Sequence, residues 1–391
     1  MEKGMKKVIL APDSFKGTMS AEKVCEIMSR CVRRIHPDCE IVEIPVADGG
    51  EGSVDCFLRA AGGVRVPMRV TGPLGDCVDS FFGILQENGR AEAGAPARPG
   101  GTAVIEMAAC AGLPLAGDGK NPEKATTFGV GELIGRALEM GCRKIILGLG
   151  GSATNDGGCG MAAALGVRFW NQAGETFLPV GGTLGQISHI DVSGLLPAIS
   201  ECEFTAMCDI DNPLYGPQGA AYIFGPQKGA DEEMVQRLDA GLRHLARIIR
   251  QDLGLDVAQL PGAGAAGGMG AGAAVFLRAS LKPGIETVLD SVDFERSLEG
   301  ADAVFTGEGR LDAQSLMGKV VGGIARHAKK RNVPLIVIAG SIEDPIEALY
   351  DAGVTAAVSI NRRTLPFQEA VKYSGKNLEW TMENVLRLMR L

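Results

Sequence analysis

Charged residues in this chain gather beside glycines, in short stretches that each follow an apolar run. Asp13-Ser14-Phe15-Lys16 follows Val8-Ile9-Leu10, and Asp48-Gly49-Gly50-Glu51 follows residues 41–46. Thr306-Gly307-Glu308-Gly309-Arg310-Leu311-Asp312 and Gly340-Ser341 follow two more such runs, and Asp209-Ile210-Asp211-Asn212 a third. The longest stretch, 148–160, contains Gly150, Gly151, Ser152, Asn155 and Asp156 and separates an apolar run from a helix-like segment. Glycines admit a ligand to the backbone, and the free N–H groups and dipole of a helix start favour phosphate or carboxylate. Carboxylates can hold Mg²⁺ together with phosphate oxygens, and cations can neutralise a transferring phosphoryl group. The combination points to phosphoryl transfer. A second small-residue run, 262–272, with Gly267, Gly268 and Gly270, competes with 148–160 for a nucleotide.

Each residue also has a plainer reading. Asp13 follows Pro12 and could be a turn residue. Asp48 and Glu51 could serve a turn and a first helical turn. Glu308, Arg310 and Asp312 could be a structural ion cluster, and Asp209 to Pro213 a common turn. Gly267, Gly268 and Gly270 could serve close helix packing. Lys16, a cation at a strand's carboxyl end, is harder to dismiss.

Positioning these residues requires strands that end where the polar stretches begin. The first 70 residues read as strand, helix, strand, helix, strand, with Ser20 capping a helix striped by Val24, Ile27, Met28, Cys31 and Ile35. That order implies a parallel, Rossmann-like sheet, and the same alternation returns near Ala301. The expectation is an α/β protein: a doubly wound, Rossmann-like domain of residues 1–73 and 292–391, interrupted by an inserted α/β domain, 74–291. Ligands of such sheets bind at the strands' carboxyl ends, so the active site is expected in the inter-domain cleft. Within the insertion, 91–101 reads as a hairpin loop.

With 391 residues, 46% of them hydrophobic and 22% charged, the chain can bury full cores. A net charge of −8 argues against nucleic acid or an anionic membrane as the main partner. No apolar run approaches membrane-spanning length, and the ten scattered cysteines look like reduced small hydrophobes. A cytoplasmic protein is expected, and a homo-oligomer is compatible with the sequence. Neither a Walker A loop nor a protein-kinase motif set occurs, and no G-x-G-x-x-G follows the first strand, which weakens a dinucleotide-dependent oxidoreductase.

The motifs resemble the bacterial glycerate kinase family that makes 2-phosphoglycerate. The likeness rests on residues 11–17, 47–52, 148–158, 208–214 and 306–312, together with Lys282-Pro283-Gly284, in the family's order along nearly the whole chain. The resemblance implies phosphorylation of D-glycerate with ATP and Mg²⁺, and a Rossmann-like domain interrupted by a second one. A kinase of another small hydroxy acid is the alternative. Roles are then assigned by chemistry. Arg310 or Lys282 clamps the carboxylate, with Ser14 and Glu308 among the substrate contacts. Asp48, in preference to Asp13, orients the attacking hydroxyl. Lys16 neutralises the phosphoryl group, Asp209 or Asp312 holds Mg²⁺, and the 148–160 loop receives an anion beside Asn155.

Overall fold

The structure, a computed structural model, describes residues 5–46, 49–86, 100–316 and 320–390. Asp48, most of the expected 91–101 loop and the expected helix start at Met317 lie outside the described residues. Two compact units are formed, one from Met1–Asp48, Asp55–Ala61 and Pro283–Leu391, the other from Gly49–Val54 and Gly62–Lys282. In chain order the strands are β1 (Lys7–Leu10), β2 (Glu40–Glu43), β3 (Gly63–Thr71), β4 (Cys77–Leu85), β5 (Thr102–Glu106), β6 (Lys144–Gly148) and β7 (Arg168–Trp170). They continue with β8 (Thr176–Phe177), β9 (His189–Asp191), β10 (Glu203–Met207), β11 (Ser280–Lys282), β12 (Ala303–Leu311), β13 (Leu335–Ile342) and β14 (Val354–Ser359).

The first unit holds a sheet of order β14-β13-β12-β1-β2, parallel throughout. Parallel sheets are covered on both faces, which requires continuous apolar strands; Val8, Ile9 and Leu10 are fully buried accordingly. On one face lies the helix Ala21–Ile35, whose N-terminal amide of Lys23 is capped by the Ser20 hydroxyl. Its Val24, Met28 and Cys31 share a core with Leu378, Met382 and Leu386 of the C-terminal helix Ser374–Leu388. Each such side chain contributes about 1.5–3 kcal/mol by leaving water.

In the second unit the main sheet runs β11-β10-β6-β5-β4-β3. β11, β10, β6 and β5 are mutually parallel, and β4 and β3 are antiparallel additions. A small sheet, β8-β7-β9, stands apart from it in hydrogen bonding. The helix Glu232–Leu253 is capped by Asp231 and buries Leu238, Leu242, Leu245 and Ile249.

Three expectations are corrected. The strand at 64–70, expected in the first domain's parallel sheet, is β3. It pairs antiparallel with β4, from Gly63 opposite Leu85 to Thr71 opposite Cys77. Its arginines alternate with Val64, Val66, Met68 and Val70, the period-two pattern of a strand with one wet face. The second unit takes in Gly62–Lys282, and the first resumes at Pro283. Secondly, 306–312 is not a loop, since β12 extends to Leu311, with Arg310 opposite Ser341 of β13, which itself runs through Gly340-Ser341. Polar residues and glycines there suggested loops, but the glycines serve close approach: a Cβ on Gly340 would lie 2.3 Å from the Gly309 carbonyl oxygen. Thirdly, Gly49–Val54 belongs to the second unit, not to the outer sheet.

Candidate functional site

In the first unit, the carboxyl ends of β1 and β12 bring several expected residues together. The chain after β1 stays beside β12, where the Asp13 amide donates to the Gly307 carbonyl at 2.8 Å. Thr306 locks the pair by donating its hydroxyl to the Ala11 carbonyl at 2.7 Å. Asp13 then turns the chain, its carboxylate accepting from the Ser14 amide at 2.6 Å. Phe15 is buried beneath, which leaves Lys16 exposed at the rim. The backbones nearly touch here, since a Cβ on Gly309 would come within 3.1 Å of the Lys16 nitrogen. Side chains alternate along β12, so Glu308 and Arg310 share a side. Glu308 is buried, whereas Arg310 is exposed and bridges Asp312 at 3.5 Å and Glu343 at 2.6 Å.

The second unit presents its own set at the carboxyl ends of its parallel strands. Glu106 ends β5, Gly148 ends β6, Asp209 follows β10 and Lys282 ends β11. The Gly49–Val54 segment lies across this edge. Gly150 donates its amide to the Gly49 carbonyl at 3.0 Å, and the Val54 amide reaches Glu106 Oε2 at 3.1 Å. Gly148 and Gly150 permit this approach, because Cβ atoms there would lie 2.4 Å from the Gly49 oxygen and 2.6 Å from the Gly50 Cα. Two motifs far apart in sequence are therefore one surface. Glu51, Gly151 and Asp209 are exposed on this unit, and Lys282 is half-buried.

Past Gly151 the glycine-rich stretch turns inward, and residues 152–160 are all buried. The Asp156 carboxylate accepts from the Thr127 amide at 2.7 Å, the Thr127 hydroxyl at 2.9 Å, and the amides of Gly158 at 3.1 Å and Gly160 at 3.2 Å. Burial pushes its pKa up, and these hydrogen bonds pull it down. Asp156 thus ties the start of the helix Cys159–Ala164 to the start of the helix Phe128–Glu139. Gly267 and Gly268 pack against the same stretch, and Gly270 against the start of its own run. A Cβ on Gly267 would meet the Thr154 oxygen at 2.0 Å, one on Gly268 the Gly157 Cα at 2.9 Å, and one on Gly270 the Gly262 oxygen at 2.1 Å. Residues 266–268 take positive φ to achieve it. These glycines have a packing cause, and all three are buried.

Lys228 was missed by the sequence reasoning. It is buried, with Nζ donating to the Ser152 hydroxyl at 3.0 Å and the Thr154 carbonyl at 2.6 Å. Burial pulls its pKa down to about 7, against the opposing pull of Asp156. Next to Thr154 in sequence, Asn155 has both side-chain amide atoms buried with no hydrogen-bond partner among the described residues. A lone lysine in a Gly/Pro-rich turn carries no signal in sequence, because nothing there says which way it points.

The model of the glycerate kinase family matches residues 8–390. The chain belongs to the glycerate kinase family. Curated members similar to it include a glycerate kinase of Bacillus cereus, 45% identical over 98% of both chains, and a glycerate 2-kinase of Escherichia coli, 43% identical over 97% of both. Its fold is similar to the crystal structure of a glycerate kinase 2 from Salmonella typhimurium LT2, with a TM-score of 0.85, 42% identity, and 99% of this chain and 98% of that one covered.

As a glycerate kinase family member the chain is a phosphotransferase with mixed α/β architecture and parallel sheets. The first unit groups Asp13, Ser14, Lys16, Glu308, Arg310 and Asp312 by the carboxyl ends of adjacent strands. The second unit holds Asp209, Lys282 and the 148–160 loop. Asp48 lies outside the described residues. No helix among the described residues is long and apolar enough to cross a membrane.

Proposed function

We propose that this kinase transfers the γ-phosphoryl group of ATP to the 2-hydroxyl of D-glycerate, giving 2-phosphoglycerate and ADP. Family membership supports the substrate class, and the observation that carries the reading is the rim of the first unit. There Lys16, Arg310, Asp13 and Asp312 gather at the carboxyl ends of two adjacent parallel strands, the place where ligands of open α/β sheets bind. We read this unit as Rossmann-like, with the second unit inserted, in a cytoplasmic enzyme.

In this mechanism the glycerate hydroxyl oxygen attacks the γ-phosphorus, the bond to the ADP oxygen breaks, and the hydroxyl proton passes to a carboxylate. Asp48 is our preferred acceptor and Asp13 the second. Arg310 or Lys282 binds the substrate carboxylate, Arg bidentately, aided by Ser14 and Glu308. The ammonium of Lys16 offsets charge on the transferring group. Among the described residues no three His, Cys, Asp or Glu side chains form a metal cage. Mg²⁺ bound through phosphate oxygens needs only one or two carboxylates, and either Asp209 or Asp312 would meet that smaller requirement. When bound, Mg²⁺ would neutralise phosphate charge. The anion of the 148–160 loop is bound at its exposed start, Gly150 and Gly151.

A panel of small hydroxy acids with an ADP-release assay tests the substrate. The expected result is turnover that favours D-glycerate over lactate, malate and tartronate. Equal turnover of all four removes the assignment.

A further inference from the structure

A cavity of about 580 Å³ opens in the first unit beyond the carboxyl end of β14. One wall is the turn Asn361, Arg362 and Arg363, held by the Ser359 hydroxyl, which accepts from the Asn361 amide at 3.1 Å. The other is the start of the C-terminal helix. Tyr373, Lys376, Asn377 and Trp380 recur at the i, i+3, i+4, i+7 spacing that puts side chains on one helix face, and all four line the cavity. The Arg362 guanidinium and the Lys376 ammonium each sit 4.7 Å from the Trp380 ring centroid.

Two features make this more than a basic patch. Neither Arg362 nor Arg363 forms an ion pair among the described residues, and the nearby Glu379 is instead engaged by Arg34. In a chain of net charge −8, two uncompensated arginines beside a lysine form a local sink for an anion. Exposed aromatics also collect here: Tyr373 and Trp380 line the cavity, and Phe367 stands between its residues Leu365 and Ala370 in sequence. Phe367 lies over the catalytic-rim loop, since a Cβ on Gly17 would touch its ring at 3.6 Å. Gly17 is the residue after Lys16.

We infer that this cavity binds the nucleotide phosphoryl donor, with Arg362, Arg363 and Lys376 on its phosphates and Tyr373 or Trp380 against its base. The inference deepens the proposed kinase reading and rests on it. Cation and ring suit the two halves of a nucleotide, and the contact of Phe367 with Gly17 connects the cavity to Lys16. It also explains why the 262–272 glycines can be devoted to packing.

The chain has two tryptophans, so a Trp170→Phe background leaves Trp380 as the reporter. ATP and ADP are expected to change its fluorescence saturably, with inorganic pyrophosphate and adenosine each binding more weakly than ATP. Arg362→Ala with Arg363→Ala should raise KM for ATP about tenfold or more while KM for glycerate stays put. An unchanged KM for ATP in the double variant overturns the inference, as does the lack of a Trp380 response or pyrophosphate binding as tightly as ATP. ATP-dependent turnover of glycerate by the Trp170→Phe parent reads the kinase proposal separately. Its failure condemns that proposal, whereas its success with an unaltered double variant condemns only this site.

Discussion

In sequence, the first unit's rim resembles the second unit's 148–160 stretch, each a mix of glycines with Asp, Ser or Asn after an apolar strand. Their structures differ in where the polar groups go. At the rim, Lys16 and Arg310 are exposed, and the buried work is done by Phe15, Thr306 and backbone. In the 148–160 stretch only Gly150 and Gly151 are accessible, and Asp156 spends its carboxylate on four donors of its own unit. A polar, glycine-rich motif can thus expose its charges at a rim or spend them on its own scaffold, and burial together with hydrogen-bond satisfaction distinguishes the two.

Four substitutions would break or sharpen that contrast. Lys16→Ala is expected to lower kcat by about 10³-fold, by analogy with loss of a cation acting on a transferring phosphoryl, without altering the melting temperature. A variant that keeps near-wild-type turnover would move Lys16 out of the mechanism. Asp156→Ala should act oppositely, costing about 3 kcal/mol of stability because four buried donors lose their acceptor; denaturant unfolding reads it, and a loss below a tenth of that would mean the stretch is held elsewhere. Gly267→Ala is expected to cost about 2 kcal/mol through the clash with the Thr154 carbonyl, with KM for ATP unchanged in what remains folded; a selective rise in that KM would make the glycine run a ligand contact.

The fourth substitution concerns Lys228. Its folded pKa, about 7, lies below the ordinary lysine value of 10.5. Between those values the unfolded chain binds the proton and the folded chain does not, so stability rises with pH through that window. Below pH 7 the cost of the buried charge is fully present. Lys228→Met removes the titration, so the wild type should gain in melting temperature relative to it from pH 7 to 9. Parallel curves would show that the lysine holds its proton in the fold.

Much of this was legible in the chain. The β/α alternation at both ends, the Ser20 cap and the Asp231 helix follow from apolar period and capping chemistry. The rim motifs could be found because they follow strand-like runs. Four things were hidden by long-range packing. β3 had the alternation of a one-sided strand, but its partner β4 lies beyond a turn and joins it to the other sheet. Gly307, Gly309 and Gly340 signalled loops, whereas they bring adjacent strands together. Gly49-Gly50 serves Gly148 and Gly150 about a hundred residues away, a pairing that local pattern cannot report. Lys228 was invisible for the same reason, since its partners at Ser152 and Thr154 exist only in the fold.

The central claim is the reaction itself. Phosphorus NMR of the purified chain with ATP, Mg²⁺ and D-glycerate tests it most directly. A growing phosphomonoester signal coupled to the proton on carbon 2, matched by ADP, is expected. A signal coupled to the carbon-3 protons would contradict the assigned hydroxyl, and no glycerate-dependent ADP would contradict the kinase reading as a whole.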